Sequence, residues 1–256
     1  MSDGKIRLGG MALGNGVLVH GPTSWACAIR AADGEVKVVS RRKSTRAARV
    51  KNPLLRGPAR LAEAMALIPQ VKRALPEAEL PMERPRVLAS MLGSVVAVQA
   101  AKRSGLRPAA RELLTAVFSL APAALALSGG ELASYHGAEH VSIGSYEHGE
   151  TRPKEHERCG SHLVGPMLLT TAIANLAAER VTPRYRSAAR VAGAFGAIAA
   201  SVETFNWMTR NPRHPLSRAL AKPGHELQHR VGTREPTPEQ LEVAEAALAA
   251  CLELEG

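Results

Sequence analysis

Apolar and polar positions follow two different periods along this chain. Near the N-terminus the runs are short and strand-like. Val17-Leu18-Val19 sits between Gly16 and Gly21-Pro22, Ser24 to Arg30 alternates, and Asp33-Gly34 is a hairpin turn signal ahead of Glu35 to Val39. These features predict a small antiparallel β unit over residues 1–45, its strands falling within 8–42. Helical spacing follows, with Leu61, Ala64, Met65 and Ile68 recurring every three or four positions. Pro76, Pro81 and Pro85 break the chain. Four stretches without charged residues then predict helices: Val87–Ala101, Leu113–Gly130, Leu163–Ala178 and Val191–Val202. Pro212 and Pro215 interrupt again. A last helix is predicted over 238–254. Thr237 is its N-cap, Pro238 suits its first turn, Gln240 completes a capping box, and Leu241, Ala244, Leu248 and Cys251 line one face. The expected fold class is therefore mainly α: a helical domain over 46–256 with a small N-terminal antiparallel β unit.

Composition narrows the choice. With 256 residues and 45% hydrophobic content, the chain can bury a core without disulfide staples. Three distant cysteines argue against a secreted disulfide framework. The aromatics are only three Phe, three Tyr and two Trp, so the core must rest on closely packed helices rich in Ala, Leu and Val. No apolar run of signal-peptide length follows the start, so no secretory signal is expected. The charge-free stretches fall short of the roughly 20 apolar residues of a spanning helix. Two arrangements fit them: buried helices of a soluble bundle, or short helices packed in or on a bilayer, where small residues allow close approach.

The chemistry concentrates in residues 134–163, which hold five of the nine histidines and Cys159. His136-Gly-Ala-Glu139-His140 is an H-x-x-E-H pattern. On a helix, residues four apart share a face, so both imidazoles can reach one ion. Nitrogen ligands suit Zn²⁺ or a similar divalent metal. In the inverted zincin arrangement the glutamate polarises the metal's water and shuttles protons, which makes Glu139 the candidate catalytic residue. His156 and Cys159 form an H-x-x-C pair that can grip the same ion from a turn. Four ligands, His136, His140, His156 and Cys159, would close a structural site, whereas three would leave a position open for catalysis. Glu203, after twelve uncharged residues, is the candidate carboxylate ligand; paired with Arg210 or exposed to water, it would need no metal. His148 is a weaker candidate. Cys27 and Cys251 read as core residues. No G-x-S-x-G, Walker loop or G-x-G-x-x-G occurs.

Charge adds an interaction surface. The formal net charge is +10, and residues 41–60 hold eight basic residues and no acid. A basic linker beginning near residue 41 is predicted. Arg41, Arg42, Lys43, Arg46, Arg49 and Lys51 are its candidates for contact with anionic lipid headgroups, with RNA or with an acidic protein partner. Beside membrane helices, such charge favours the cytoplasmic face.

Several blocks resemble the bacterial DUF1385 family, whose function is uncharacterised: GGMALGNGVLVHGP (9–22), NPLLRGPARLAEA (52–64), YHGAEH (135–140), YEHGE (146–150), HERCGS (156–161), SVE (201–203), PGHELQ (223–228) and TREPTPEQLEVAEAAL (233–248). The resemblance implies a multi-pass protein of the bacterial inner membrane, with a cytoplasmic location as the alternative. It implies metal ligation through His136, Glu139 and His140, a match of His156 and Cys159 to the family's H-P-R-C-G block, and of Glu203 to a later carboxylate. Glu157 departs from the family's usual proline, and His162 from a small residue. The hydrophobic helices are also shorter and richer in alanine than the resemblance leads one to expect. The expected reading is a metal-dependent, zincin-like hydrolase associated with the membrane, its substrate unspecified. A non-catalytic binding protein with a structural metal site is the alternative.

Overall fold

A computed structural model describes residues 4–43, 49–127 and 130–256. The chain is predominantly helical with a small N-terminal antiparallel sheet, as the hydrophobic pattern predicts. It divides into two compact units.

The first unit comprises Met1–Thr45, Pro69–His156 and Gln228–Gly256. Among its described residues, β1 (Gly9–Ala12), β2 (Gly16–His20), β3 (Ser24–Arg30) and β4 (Val36–Arg42) pair in sequence order as an antiparallel meander. Gly34 takes φ +88° in the β3–β4 turn, the left-handed region where a residue without Cβ is favoured. β2 and β3 are buried almost throughout. Val17 lies opposite Ala28, and Val19 opposite Ala26. These four side chains pack in one core with Leu132, Tyr135 and Ala138 and with Val243, Ala244, Ala247, Leu248 and Cys251. Alternating valine and alanine keeps that sheet face shallow, so two helices can lie close to it. Trp25, Leu18, Cys27 and Ile29 are also fully buried. Burial pushes the Cys27 thiol up to about 12, as expected of a core residue.

The predicted C-terminal helix runs Pro238–Glu255, and its capping box forms as expected: Gln240 N–H donates to Thr237 Oγ1, and Thr237 N–H to Gln240 Oε1. Its buried stripe includes Val243 and Ala247 beside Ala244, Leu248 and Cys251, while Leu241 stays half-buried. At its far end the Glu255 carboxylate accepts hydrogen bonds from Thr23 N–H, Thr23 Oγ1, Ser24 N–H and Ser24 Oγ. The unit also contains two long helices, Pro85–Arg103 and Pro108–Leu127, and the site-bearing helix Glu131–His148.

The second unit comprises Arg46–Ile68 and Glu157–Leu227. Its helices include Pro53–Met65, Val164–Glu179, Arg186–Arg210 and Pro215–Leu227. Leu61 and Met65, predicted on an apolar stripe, are exposed, whereas Ile68 is buried. Between Val164–Glu179 and Arg186–Arg210 the contact is made by small and hydroxylated residues: Thr170 and Ser201 hydroxyls meet at 2.8 Å, and Gly193 faces Ala174. Leu168, Leu169, Ile173 and Leu176 face outward. The stretch Gly160–Glu179 is long and apolar enough to cross a membrane.

In chain order the α-helices among the described residues are α1 (Pro53–Met65), α2 (Leu67–Ala74), α3 (Pro85–Arg103), α4 (Pro108–Leu127), α5 (Glu131–His148), α6 (Val164–Glu179), α7 (Arg186–Arg210), α8 (Pro215–Leu227) and α9 (Pro238–Glu255).

The Glu255 cluster yields the first prediction. Burial alone would raise this carboxyl, but hydrogen bonds from Ser24 and Thr23 outweigh it and hold it below the usual carboxylate range. A group with a depressed folded pKa stabilises the fold above its unfolded value, near 4.3, and loses that contribution as pH falls through the folded value. Glu255→Ala is expected to cost about 1–3 kcal/mol at neutral pH. The difference from the parent should shrink in acid, as read by urea unfolding across pH.

Candidate metal centre

Helix α5 carries the H-x-x-E-H pattern as predicted. It ends where Gly149 adopts φ +76° and donates its N–H to Ser145 O, a left-handed C-terminal cap. His136 and His140, one turn apart, have ring centroids 4.3 Å apart and tilted by 56°. A ring nitrogen of one lies within 4.8 Å of a ring nitrogen of the other. His140 is buried at 2% exposure.

Two main-chain carbonyls set the chemistry of this pair. His136 Nδ1 lies 2.7 Å from Gly232 O, and His140 Nδ1 lies 2.6 Å from Lys154 O. A carbonyl oxygen only accepts, so each Nδ1 carries the proton. In the neutral imidazole each Nε2 then keeps its lone pair, the atom a metal needs. Outer partners of this kind orient metal-binding histidines and raise their basicity.

Those carbonyls are themselves anchored. Gly232 ends a π-helical turn, Gln228–Gly232, and Thr233 fastens back to Gln228 O through both N–H and hydroxyl. Arg234 N–H donates to Ala133 O of α5, clamping residues 232–234 onto the helix. The approach is so close that a Cβ at Gly137 would stand 2.0 Å from Arg234 O. Lys154 precedes His156, whose backbone N–H donates to the side chain of Gln228, a residue with no exposed surface. Gln228 thus ties the loop that orients His140 to the turn that orients His136. Nothing in its spacing marks Gln228; the PGHELQ block that contains it is its one signal in the sequence.

His156 is brought beside the pair, its ring 5.5 Å from that of His140. Its Nε2, however, faces Glu147 Oε2 at 3.2 Å, and both side chains are largely buried. Glu147 escaped the sequence reading, although it lies two turns beyond His140 on the same helical face. His148 turns its Nδ1 back onto Gly144 O of its own helix. His229, also missed, bonds Glu155 at 2.9 Å. Burial would raise the Glu155 carboxyl, but Lys154 and His229 overcome it and bring it down to about 2.

Glu139 is buried at 6% exposure. Its carboxylate packs against β1, where Oε1 fills the space a Cβ of Gly10 would take, 2.3 Å from that position. The Gly9-Gly10 pair is thus a site of close backbone approach. Cys159 opens a short helical turn, Gly160–Leu163, and burial raises its thiol. His136 and His140 offer two imidazole nitrogens one turn apart on α5 as candidate metal donors.

Glu203 has a different partner. Its carboxylate receives a two-pronged contact from the Arg56 guanidinium, with Nε 2.6 Å from Oε1. That hydrogen-bonded cation holds the Glu203 carboxyl below its usual range. The carboxylate in a low-charge helix therefore has its counter-ion in α1, not in Arg210 alone. Of the basic candidates, Arg41 and Arg42 close β4, and Arg41, Arg42, Arg49 and Lys51 are exposed while Lys43 is half-buried. Arg46 lies outside the described residues.

Residues 131–254 match the profile of a family described as a protein of unknown function, DUF1385. The match starts with α5 and ends in the last turn of α9, so it contains His136, His140, His156 and Cys159. No curated protein and no solved structure matches the chain.

Gly137 offers a test of the clamp. In an ordinary helix interior, glycine to alanine gains about 1 kcal/mol. Here the added methyl meets a main-chain oxygen, so Gly137→Ala should instead destabilise, by about 1–3 kcal/mol. Denaturant unfolding reads the sign directly; a stabilised variant would show that the clamp is loose.

Proposed function

We propose that this chain, whose residues 131–254 match the DUF1385 family, is a membrane-associated metalloprotein whose ion is held by His136 and His140. The observation that carries this reading is the paired backbone acceptors, Gly232 O and Lys154 O, which leave two Nε2 lone pairs on one face of α5. Imidazole nitrogens suit Zn²⁺ or a similar divalent metal. A catalytic ion keeps a coordination position open, whereas four protein ligands close a structural one.

A Zn²⁺ ion held there supplies Lewis-acid activation of water for hydrolysis. The protein's own part is orientation and proton transfer. Gly232 and Lys154 hold the imidazoles in one tautomer. His156, engaged by Glu147, packs beside His140. Glu139 takes the proton from the attacking water and returns it to the leaving group. Its place beside His140 on the buried part of α5 supports that role. Glu203 serves elsewhere, as the counter-ion of Arg56. The apolar stretch Gly160–Glu179 supports membrane association.

A structural metal is the second reading, favoured by the burial of His140. The two readings differ on chelation: removing a structural ion should unfold the first unit, whereas a catalytic ion should leave with the fold intact. His136→Ala and His140→Ala should each abolish stoichiometric metal by elemental analysis; unchanged metal content would refute the centre. Glu139→Gln should keep the metal and lower hydrolysis of an activated ester by about 10²–10⁴-fold. Full activity in that variant would remove Glu139 from the mechanism.

A further inference from the structure

Helices α3 and α4 pack on each other and touch little else among the described residues. Their polarity is inverted relative to a water-soluble hairpin. Ser94 turns inward and donates to Phe118 O at 2.6 Å. Val87 and Ala101 are the buried residues of α3. Outward stand Leu92, Val95 and Val96, at 65%, 61% and 69% exposure, with Leu88 and Met91 on the same stripe of α3, and Leu113 on α4. Scattered exposed leucines need no explanation, but a continuous stripe of this kind marks an interaction surface. The stripe ends in cations: Lys102 and Arg103 close α3, Arg107 precedes α4, and no acidic residue occurs between Arg84 and Arg111.

We propose that the α3–α4 hairpin is a docking surface for an anionic phospholipid bilayer, with the Leu92–Val96 stripe among the acyl chains and Lys102, Arg103 and Arg107 among the phosphates. This rests on the membrane association put forward above and identifies the surface and the lipid chemistry. Charge decides the occupant. A second copy of a chain carrying +10 would bring the same cations against each other. An RNA would meet the cations, but its phosphates gain nothing from a stripe of leucine and valine. A bilayer with anionic headgroups complements both parts at once. At 19 residues α3 is about 28 Å long. A helix of that length can lie along the interface, its stripe down and its basic end in the headgroup layer.

The test is co-sedimentation of the full chain with phosphatidylcholine vesicles, with and without phosphatidylglycerol. Each cation near an anionic surface is worth about five-fold in partitioning, so three should give a preference on the order of 100-fold for the phosphatidylglycerol vesicles. The variant Lys102→Gln/Arg103→Gln/Arg107→Gln should lose most of that preference. Leu92→Asn/Val96→Asn should bind both vesicle types more weakly, with the helical circular dichroism of the parent. Binding to both vesicles without preference would overturn the anionic docking surface and leave membrane association standing. Absence of binding to either would overturn both. Should Leu92→Asn/Val96→Asn turn a lipid-free oligomer into a monomer, or should the triple glutamine variant lose RNA rather than vesicles, the surface belongs to a second copy or to a nucleic acid, and the proposal fails.

Discussion

Helix α5 meets neighbouring backbone closely on two sides, once directly and once through a single side chain of its own. On one side Gly137 admits the carbonyl of Arg234; on another, Gly10 of β1 admits the carboxylate of Glu139. Most helices meet their neighbours through interdigitated side chains, which leaves the backbones 8–10 Å apart. Here the closer approach lets main-chain carbonyls reach the imidazoles. Gly232 O and Lys154 O are fixed acceptors with no rotamer of their own, so they hold the ring orientation more firmly than a carboxylate on a flexible stem would. The cost of this arrangement is two positions where any larger residue collides.

The rest of the first unit supports that contact. The meander supplies β1, whose Gly9-Gly10 pair leaves room for Glu139. The shallow valine and alanine face of β2 and β3 seats α5 and α9 together. Glu255 fastens the end of α9 to the β2–β3 turn through four hydrogen bonds, so the helix that shares a core with α5 cannot slide along the sheet. Gln228 joins the two acceptor segments, with its amide oxygen on His156 N–H and its backbone oxygen on Thr233. A π-helical turn widens the backbone locally at that point, a deviation frequent at functional sites.

Elsewhere the chain obeys a different packing logic. Serine and threonine hydroxyls and small residues face inward in the α3–α4 and α6–α7 pairs, and leucine, isoleucine and valine face outward. In water such pairs gain little from burial. Close approach and hydroxyl-to-carbonyl bonds, such as Ser94 to Phe118 O and Thr170 to Ala197 O, join them instead.

Much of this was readable from the residues. Period-two runs and an Asp-Gly turn define the sheet because side chains alternate across a strand, and Thr237 with Gln240 announces α9 because its first N–H groups need acceptors. The four-residue spacing of His136 and His140 places both rings on one face wherever a helix forms. By itself the amino-acid order could not assign Glu203 to Arg56, which lies 147 positions away. Nor could it reveal that Glu147 faces His156, that His148 turns back onto its own helix, that Gly137 admits the Arg234 carbonyl, or that Gly10 makes room for the Glu139 carboxylate. Local spacing determines which side chains share a face, because helix and strand periods are fixed by backbone geometry. Which carbonyl, cation or carboxylate stands opposite that face is decided by distant segments, whose approach depends on the packing of the whole unit.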